Sequence, residues 1–263
     1  MGDGFSEEER EKVIFYTPLH SLIFLVMIIL GLFLFMIMFF WWSSVFIFLF
    51  RTLGFRFSES VLFAFTVIVF SAILSMVNIP VYRMVREIEI PSIRYVVFFG
   101  IPYTIPTFIR RRRVMTIAVN VGGAVIPVLL SLLLIIKILT FPNFQQVLFA
   151  LLVAMTAVTT ISYVLAKPVR GVGIVMPAFI PPLTSAFASA SIISFLALPP
   201  VSAIPIAYIA GTLGVLIGAD LLHLIKDWEK LYAPVVSIGG AGTFDGIYLS
   251  GILSVILLPL FIA

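Results

Sequence analysis

The chain has 263 residues, of which 62% are apolar and 11% charged, and its net charge is +4. A typical soluble domain has roughly 45–50% apolar and about 25% charged residues. A soluble domain of this size cannot bury so many apolar side chains, so the composition excludes a cytosolic globular enzyme and a nucleic-acid-binding domain. We therefore predict no nucleic-acid partner. Cysteine is absent. Disulfides, thiolate nucleophiles and zinc–thiolate sites are therefore excluded, and we predict no cofactor.

The apolar residues form seven runs, each about 20 residues long, as a membrane-spanning helix requires. They lack the strict alternation of a membrane β-barrel, which favours an all-α, polytopic membrane protein with the lipid bilayer as its solvent. The predicted spans are 19–42, 60–80, 115–138, 146–166, 172–198, 203–225 and 240–261. Residues 1–18 precede them as a polar tail, so 19–263 form one transmembrane domain.

Two of the seven spans are irregular. The first apolar run continues past Trp41 and Trp42 to Phe50, so residues 43–55 form either a tilted continuation or an interfacial helix. The fifth contains Pro177, Pro181 and Pro182 within six positions. We predict a broken helix there, whose freed backbone lines a cavity; the alternative is a kinked packing helix.

The loop at 81–114 is strongly basic, with Arg83, Arg86, Arg94 and the run Arg110–Arg113. Cytoplasmic loops carry an excess of Lys and Arg, which is known as the positive-inside rule. Applied to this loop, the rule predicts a multi-pass protein of the plasma (inner) membrane with a cytoplasmic N-terminus and an outside C-terminus. Alternation of polar and apolar residues after Arg86 predicts a short β-hairpin or an extended flap. The four-arginine run is interpreted as a topology determinant that contacts anionic lipid, with an anionic-substrate or nucleic-acid patch as the alternative.

Asp220 and Asp245 are the acidic residues that fall inside apolar runs. A carboxylate in hydrocarbon costs about 2.5–3.5 kcal/mol on insertion scales, so both are candidate functional residues. The structural alternative is that each accepts hydrogen bonds from backbone N–H groups at a helix end. Gly218, Gly242 and Gly246 allow the two spans to approach closely. We therefore expect the carboxylates to face each other and share a proton, in a water-accessible pocket open to the cytoplasm.

An aspartate pair of this kind supports more than one function. It can activate water for attack on a peptide carbonyl, as a peptidase does, or bind and release a proton or cation, as a transporter does. The third hypothesis is a membrane scaffold without catalytic activity. His223 follows Asp220 by three residues and lies on the same helix face, so a metal site with Asp245 is a further alternative.

Two short segments resemble one another. Asn120-Val121-Gly122-Gly123-Ala124 opens the third predicted span, and Ser237-Ile238-Gly239-Gly240-Ala241 opens the seventh. They indicate either a parallel internal repeat or independent use of small residues for helix packing.

Four motifs together resemble an uncharacterised prokaryotic membrane family, domain of unknown function sixteen-fourteen, over roughly residues 80–263. The motifs are the Asn120–Pro127 segment, Val169–Ile174, Gly218–Leu222 and Gly239–Ile247. This resemblance implies no mechanism, because the family has no assigned function.

Gly242-Thr243-Phe244-Asp245 is also similar to the catalytic motif of the intramembrane aspartyl proteases, including the archaeal preflagellin peptidases and the presenilins. The similarity implies that Asp220 and Asp245 are catalytic and that the substrate is a peptide or membrane protein. The Pro-Ala-Leu motif of that family is missing after Asp245. The candidate substrate-binding residues are Asn120, Pro181, Pro182, Ser185, Gly239, Gly240 and Gly242.

Overall fold

The computed structural model describes residues 21–99, 101–169, 173–227 and 235–262, so the predicted tail at 1–18 lies outside the described residues. The chain divides into two compact units, Met1–Phe40 and Trp41–Ala263. In the first unit, the described residues belong to helix α1 (Ser21–Leu53), and their apolar side chains from Phe24 onward are mostly exposed. Exposed apolar side chains of this kind suit a lipid environment.

The second unit is mostly helical. Its helices are α2 (Phe57–Leu74), α3 (Ile126–Ile138), α4 (Phe144–Leu165), α5 (Ile180–Phe195), α6 (Ala203–Val215), α7 (Leu222–Asp227) and α8 (Gly246–Leu257). A π-helical segment, Val121–Val125, precedes α3, and a second one, Leu216–Leu221, joins α6 to α7.

Five helical stretches in the described residues are long and apolar enough to cross a membrane. They are Phe24–Leu53, Phe57–Leu74, Val121–Ile138, Phe144–Leu165 and Pro200–Asp227. The apolar helices Ile180–Phe195 and Gly246–Leu260 are shorter. A helical membrane protein is thus confirmed in its coarse form, while the count of seven spans stays a prediction.

The fold also contains a long β-ribbon. Strand β1 (Asn78–Phe98) pairs antiparallel with β2 (Ile101–Asn120), from Asn78 opposite Asn120 to Phe98 opposite Ile101. Strand β5 (Val235–Ile238) adds to β2 in parallel, with Val235 opposite Thr116. The protein is therefore mostly α with a β-ribbon, rather than all-α as predicted.

The ribbon changes the predicted limits of two spans. Helix α2 ends at Leu74 and residues 115–120 are strand, so the predicted spans 60–80 and 115–138 are too long. The predicted hairpin is present, but it is longer than expected and extends beyond 81–114 at both ends. In register, Glu89 lies opposite Arg110 and Glu87 opposite Arg112. The side chains of Arg110–Arg113 lie outside what the structure describes, so their contact with anionic lipid stays a prediction.

The predicted fifth span, 172–198, is helical only in its later part. Strand β3 (Lys167–Val169) pairs antiparallel with β4 (Gly173–Val175), and helix α5 begins at Ile180. Pro181 and Pro182 lie in the first turn of α5, where proline loses nothing by lacking an N–H. These prolines therefore begin a continuous helix instead of breaking one.

The helical core is built on close contacts of α6. A Cβ added to Gly251 of α8 would lie 2.2 Å from Thr212 Oγ1, and one added to Gly211 would lie 2.3 Å from Ser254 Oγ. Small residues at such a crossing bring two helix backbones together in a membrane. Phe46, in the later part of α1, packs its ring 6.5 Å from that of Tyr208. Residues 43–53 thus continue helix α1 and do not form a separate interfacial helix.

Candidate active site

Asp220 is presented by the π-helical segment that follows α6. A π segment adds one residue to the helical turn and often occurs at functional sites, because it changes the direction of the side chains after it. Its Gly218 packs on α4, where an added Cβ would lie 2.3 Å from the Thr159 carbonyl oxygen. Asp220 is half-buried, and no hydrogen bond joins its carboxylate to the described part of the chain.

Asp245 is the N-cap residue of α8. Its Oδ1 accepts a hydrogen bond from the Ile247 N–H at 3.0 Å, and its Oδ2 accepts one from the Ala241 N–H at 3.4 Å. The capping alternative considered for both aspartates therefore applies to Asp245. A carboxylate at this position is stabilised by the orphan N–H groups and by the helix dipole.

The two aspartates meet at a pair of adjoining cavities. The larger cavity, of about 400 Å³, lies along β5 and also contacts Gly173 and Ile174 at β4. The smaller one, of about 260 Å³, has mainly apolar walls. Both carboxylates line both cavities. The common pocket expected from the sequence is present, while proton sharing and a cytoplasmic opening stay predictions.

Of the predicted glycines, Gly240 lines the larger cavity. Gly239 and Gly242 instead support the loop before Asp245 through close packing on other segments. A Cβ added to Gly239 would lie 2.7 Å from Ala124 Cβ, and one added to Gly242 would lie 2.5 Å from Ser75 Cβ. Both residues have positive φ angles, +72° and +65°, which favour glycine. Their role is thus to shape the loop, and they do not line the cavities.

Asn120 is fully buried and likewise supports the loop. Its Nδ2 donates to the Ser75 carbonyl oxygen at 2.7 Å and to Asn78 Oδ1 at 3.1 Å, and its Oδ1 accepts from the Gly123 N–H at 2.8 Å. Ser75 Oγ accepts a hydrogen bond from the Thr243 N–H at 3.2 Å. Asn120 therefore joins the end of α2, the base of the ribbon and the π-helical segment at Gly123, and Ser75 in turn holds the loop that carries Asp245.

The two similar glycine motifs lie side by side. Asn120 directly follows the part of β2 that pairs with β5, and Gly239 directly follows β5. A Cβ added to Gly123 would lie 2.3 Å from the Gly239 carbonyl oxygen. Both segments therefore run from a strand through glycines into a helix, a geometry that an internal repeat predicts.

Pro181, Pro182 and Ser185 line neither aspartate cavity. Ser185 Oγ donates a hydrogen bond to the Ala207 carbonyl oxygen at 2.8 Å, within the contact of α5 with α6. The wall expected from the proline-rich span is formed instead by the residues just before α5, including Ile174 and Met176. The predicted wall is therefore formed by residues that precede α5 in the chain, and no residue of α5 itself lines either cavity.

Two of the three glycines expected between the aspartate-bearing helices lie elsewhere, because Gly218 packs on α4 and Gly242 on Ser75. A Cβ added to Gly246 would face Val215 Cγ1 of α6 at 3.8 Å, an ordinary contact distance. The close contact of α6 with α8 uses Gly211 and Gly251, because it lies deeper in the bundle than the aspartates.

His223 is buried next to the site, but it faces a different set of atoms. Its Nδ1 lies 3.3 Å from the Gly218 carbonyl oxygen, and its ring centroid lies 4.8 Å from that of Tyr163. Lys226 Nζ donates to the Tyr163 hydroxyl at 2.6 Å. Over the described ranges, no three His, Asp or Glu side chains come together in a metal-binding group. The metal-site alternative therefore has no support from the geometry.

Sequence reasoning missed the strand residues that form much of the site. Val235–Ile238 line the larger cavity, and Ile174 and Val175 line the smaller one. Both segments are short β-branched runs next to glycine or proline, which is a strand signal. Because the two segments adjoin longer apolar runs, their sequence alone does not distinguish a short strand from the end of a membrane-spanning helix.

Comparison with curated proteins and with solved structures gives no match to this chain. A family model does match residues 72–257, and its description reads "Protein of unknown function (DUF1614)". The matched region contains Asp220, Asp245 and both glycine motifs. Similarity to the intramembrane aspartyl proteases has no such support and stays a prediction. Since the match covers most of its length, the chain belongs to the DUF1614 family.

Proposed function

We propose that the protein is an intramembrane aspartyl peptidase in which Asp220 and Asp245 are the catalytic residues. The observation that carries the proposal is that two carboxylates from different helices line the same cavities in an apolar helical body. Two acids at one site cannot both ionise easily, so they retain one proton between them. A site with one acid and one base is what hydrolysis of a peptide bond requires.

In the proposed reaction, Asp245 is the base, because two N–H groups already stabilise its carboxylate. It removes a proton from a water molecule, whose oxygen forms a bond to the peptide carbonyl carbon. Asp220 donates its proton to the carbonyl oxygen. When the C–N bond breaks, the amine takes the proton held by Asp245. Asp220 takes back a proton from one of the two hydroxyls on the carbonyl carbon, and the other fragment leaves as a carboxylic acid. The water molecule thus supplies the OH of the new acid and the H of the new amine. Both aspartates return to their initial protonation states.

The backbone of β5 favours a polypeptide as the substrate. In the described sheet, with strand order β1-β2-β5, β5 has β2 as its neighbour on one side. All four residues of β5 line the larger cavity, which leads to both aspartates. An extended peptide that adds to a strand edge gains main-chain hydrogen bonds along its length. Such binding would bring a peptide carbonyl to the carboxylates.

The test is cleavage of single-span polypeptides in detergent micelles by the purified full chain. The probe is a synthetic library with one apolar span of about 20 residues per peptide, and mass spectrometry identifies the fragments. Asp220→Asn and Asp245→Asn should each abolish cleavage while the chain remains folded. Asp227→Asn is the matched control, because it lies in α7 and lines neither cavity. Cleavage that persists in both aspartate variants would refute the proposal.

A second candidate function is a proton- or cation-coupled transporter that uses the same aspartates. The observation that favours it is a set of buried hydroxyls in the bundle, including Ser189 of α5 and Ser250 of α8. Neither has a hydrogen-bond partner among the described residues. Buried polar groups of this kind bind internal water or ions in many proteins. Proteoliposomes with an internal pH-sensitive dye test this function, since transport predicts aspartate-dependent proton flux without any peptide cleavage.

A further inference from the structure

The smaller cavity has a distinct composition. Apart from the two aspartates, its walls are apolar side chains and small residues, with Val215 and Ala219 as a buried floor. Met176 and Phe244 lie nearer its rim, and Phe244 is exposed. A mainly apolar recess thus adjoins both carboxylates, whereas the larger cavity is bounded by strand β5.

The size of the recess limits what it can hold. Its volume is about 260 Å³, below the roughly 300–1,000 Å³ of pockets that enclose a whole small-molecule ligand. A single large apolar side chain is of suitable size and chemistry. The two cavities share Ile174, Ala241 and both aspartates. A peptide backbone along β5 therefore reaches the recess at the position where the carboxylates meet its carbonyl group.

We propose that the smaller cavity is the subsite for the substrate residue that flanks the cleaved bond, and that it selects a large apolar side chain such as Leu, Met or Phe. This inference rests on the proposed peptidase function. Ala219 and Val215 determine the depth of the subsite, because they form its floor. A pocket that fits an apolar side chain discriminates by about 10–200-fold per methylene or methyl group.

The first test uses peptides that carry Ala, Leu or Phe on either side of the cleaved bond, which is first located by mass spectrometry. For one side of the bond, the wild-type chain should cleave the Leu peptide at least tenfold faster than the Ala peptide, in kcat/KM. Ala219→Leu should reverse this preference by filling the floor, and Val215→Ala should shift it toward Phe. Val153→Ala is the matched control, since Val153 lies on α4 outside both cavities.

The second test measures binding in the recess and not the rate of cleavage. A peptide with a photoreactive diazirine leucine at that position is irradiated with the full chain in micelles. Adducts should form on Met176, Val215 or Phe244, and they should be lost in Ala219→Leu. Thermal midpoints show whether each variant is folded. Val215→Ala serves as the test variant if Ala219→Leu does not fold.

The outcomes separate the two proposals. Aspartate-dependent cleavage with the same Leu to Ala ratio in every variant would overturn the subsite and leave the peptidase function standing. Adducts in the recess without any cleavage would show that it binds an apolar side chain, but they would overturn the peptidase function and with it the assignment of the recess to a cleaved bond. Adducts that form elsewhere, or that persist in folded Ala219→Leu, would overturn the subsite whether or not cleavage occurs.

Discussion

Replacement of Gly123 by alanine tests how the loop before Asp245 is held. The added Cβ would lie 2.3 Å from the Gly239 carbonyl oxygen and 2.6 Å from the Gly242 carbonyl oxygen. Ordinary contact begins near 3.4 Å, so the Gly239 carbonyl has to move by about 1 Å. That carbonyl accepts the hydrogen bond from the Gly242 N–H, and the Gly242 carbonyl accepts the one from the Asp245 N–H. The displacement therefore reaches the site.

Overpacking of this kind costs about 1–3 kcal/mol. For a chain of this size, each kcal/mol lowers the thermal midpoint by about 2–4 °C, so Gly123→Ala should lower it by roughly 2–12 °C. The midpoint is measured in detergent by intrinsic tryptophan fluorescence. Cleavage or transport by the variant should also decrease at temperatures where it remains folded, because Asp245 moves with its loop.

Gly246→Ala is the matched control for this prediction. Its Cβ would have Met176 Cε at 3.5 Å and Val215 Cγ1 at 3.8 Å, which are ordinary contacts. Loss of backbone freedom in the unfolded chain should leave its midpoint unchanged or slightly higher. Equal midpoints for the two variants would refute the reasoning, because they would show that the contact of Gly123 with the Gly239 carbonyl relaxes without cost.

Three further predictions address other parts of the molecule. Asn120→Ala leaves the Ser75 carbonyl and the buried Gly123 N–H without their partner. The free energy of unfolding in detergent should therefore decrease by about 1–3 kcal/mol, and an unchanged thermal midpoint would contradict the supporting role of Asn120. Gly251→Ala should separate α6 from α8, and Thr212→Ala in the same chain should restore part of the stability by removing the hydroxyl 2.2 Å away; strictly additive losses in this double-mutant cycle would argue against the contact. Arg111→Cys provides the sole cysteine in the chain and should resist an impermeant thiol reagent added to intact cells, because the ribbon is predicted to be cytoplasmic; labelling from outside would reverse the orientation.

The general class of the protein follows from composition alone. Lipid is the solvent that allows 62% apolar residues in a chain of this length, and within lipid the backbone groups must pair inside helices. The same argument identifies Asp220 and Asp245, because charge within an apolar run is rare enough to be noticed in one sequence. Alternation at Arg86 similarly predicts the hairpin, since a period of two is a local property.

The internal arrangement of the site depended on contacts between distant segments. Antiparallel pairing with β1 makes residues 115–120 strand, and parallel pairing of β2 with β5 places the two glycine motifs together. Neither segment specifies this pairing by itself. Gly218 and Gly251 look equivalent in sequence, yet one meets α4 and the other α6. The local sequence pattern indicates whether a segment is helix or strand and whether it lies in lipid or in water. The segment against which it packs depends on the arrangement of the whole bundle. The sequence alone therefore singled out the two carboxylates, and the tertiary structure decided which walls surround them.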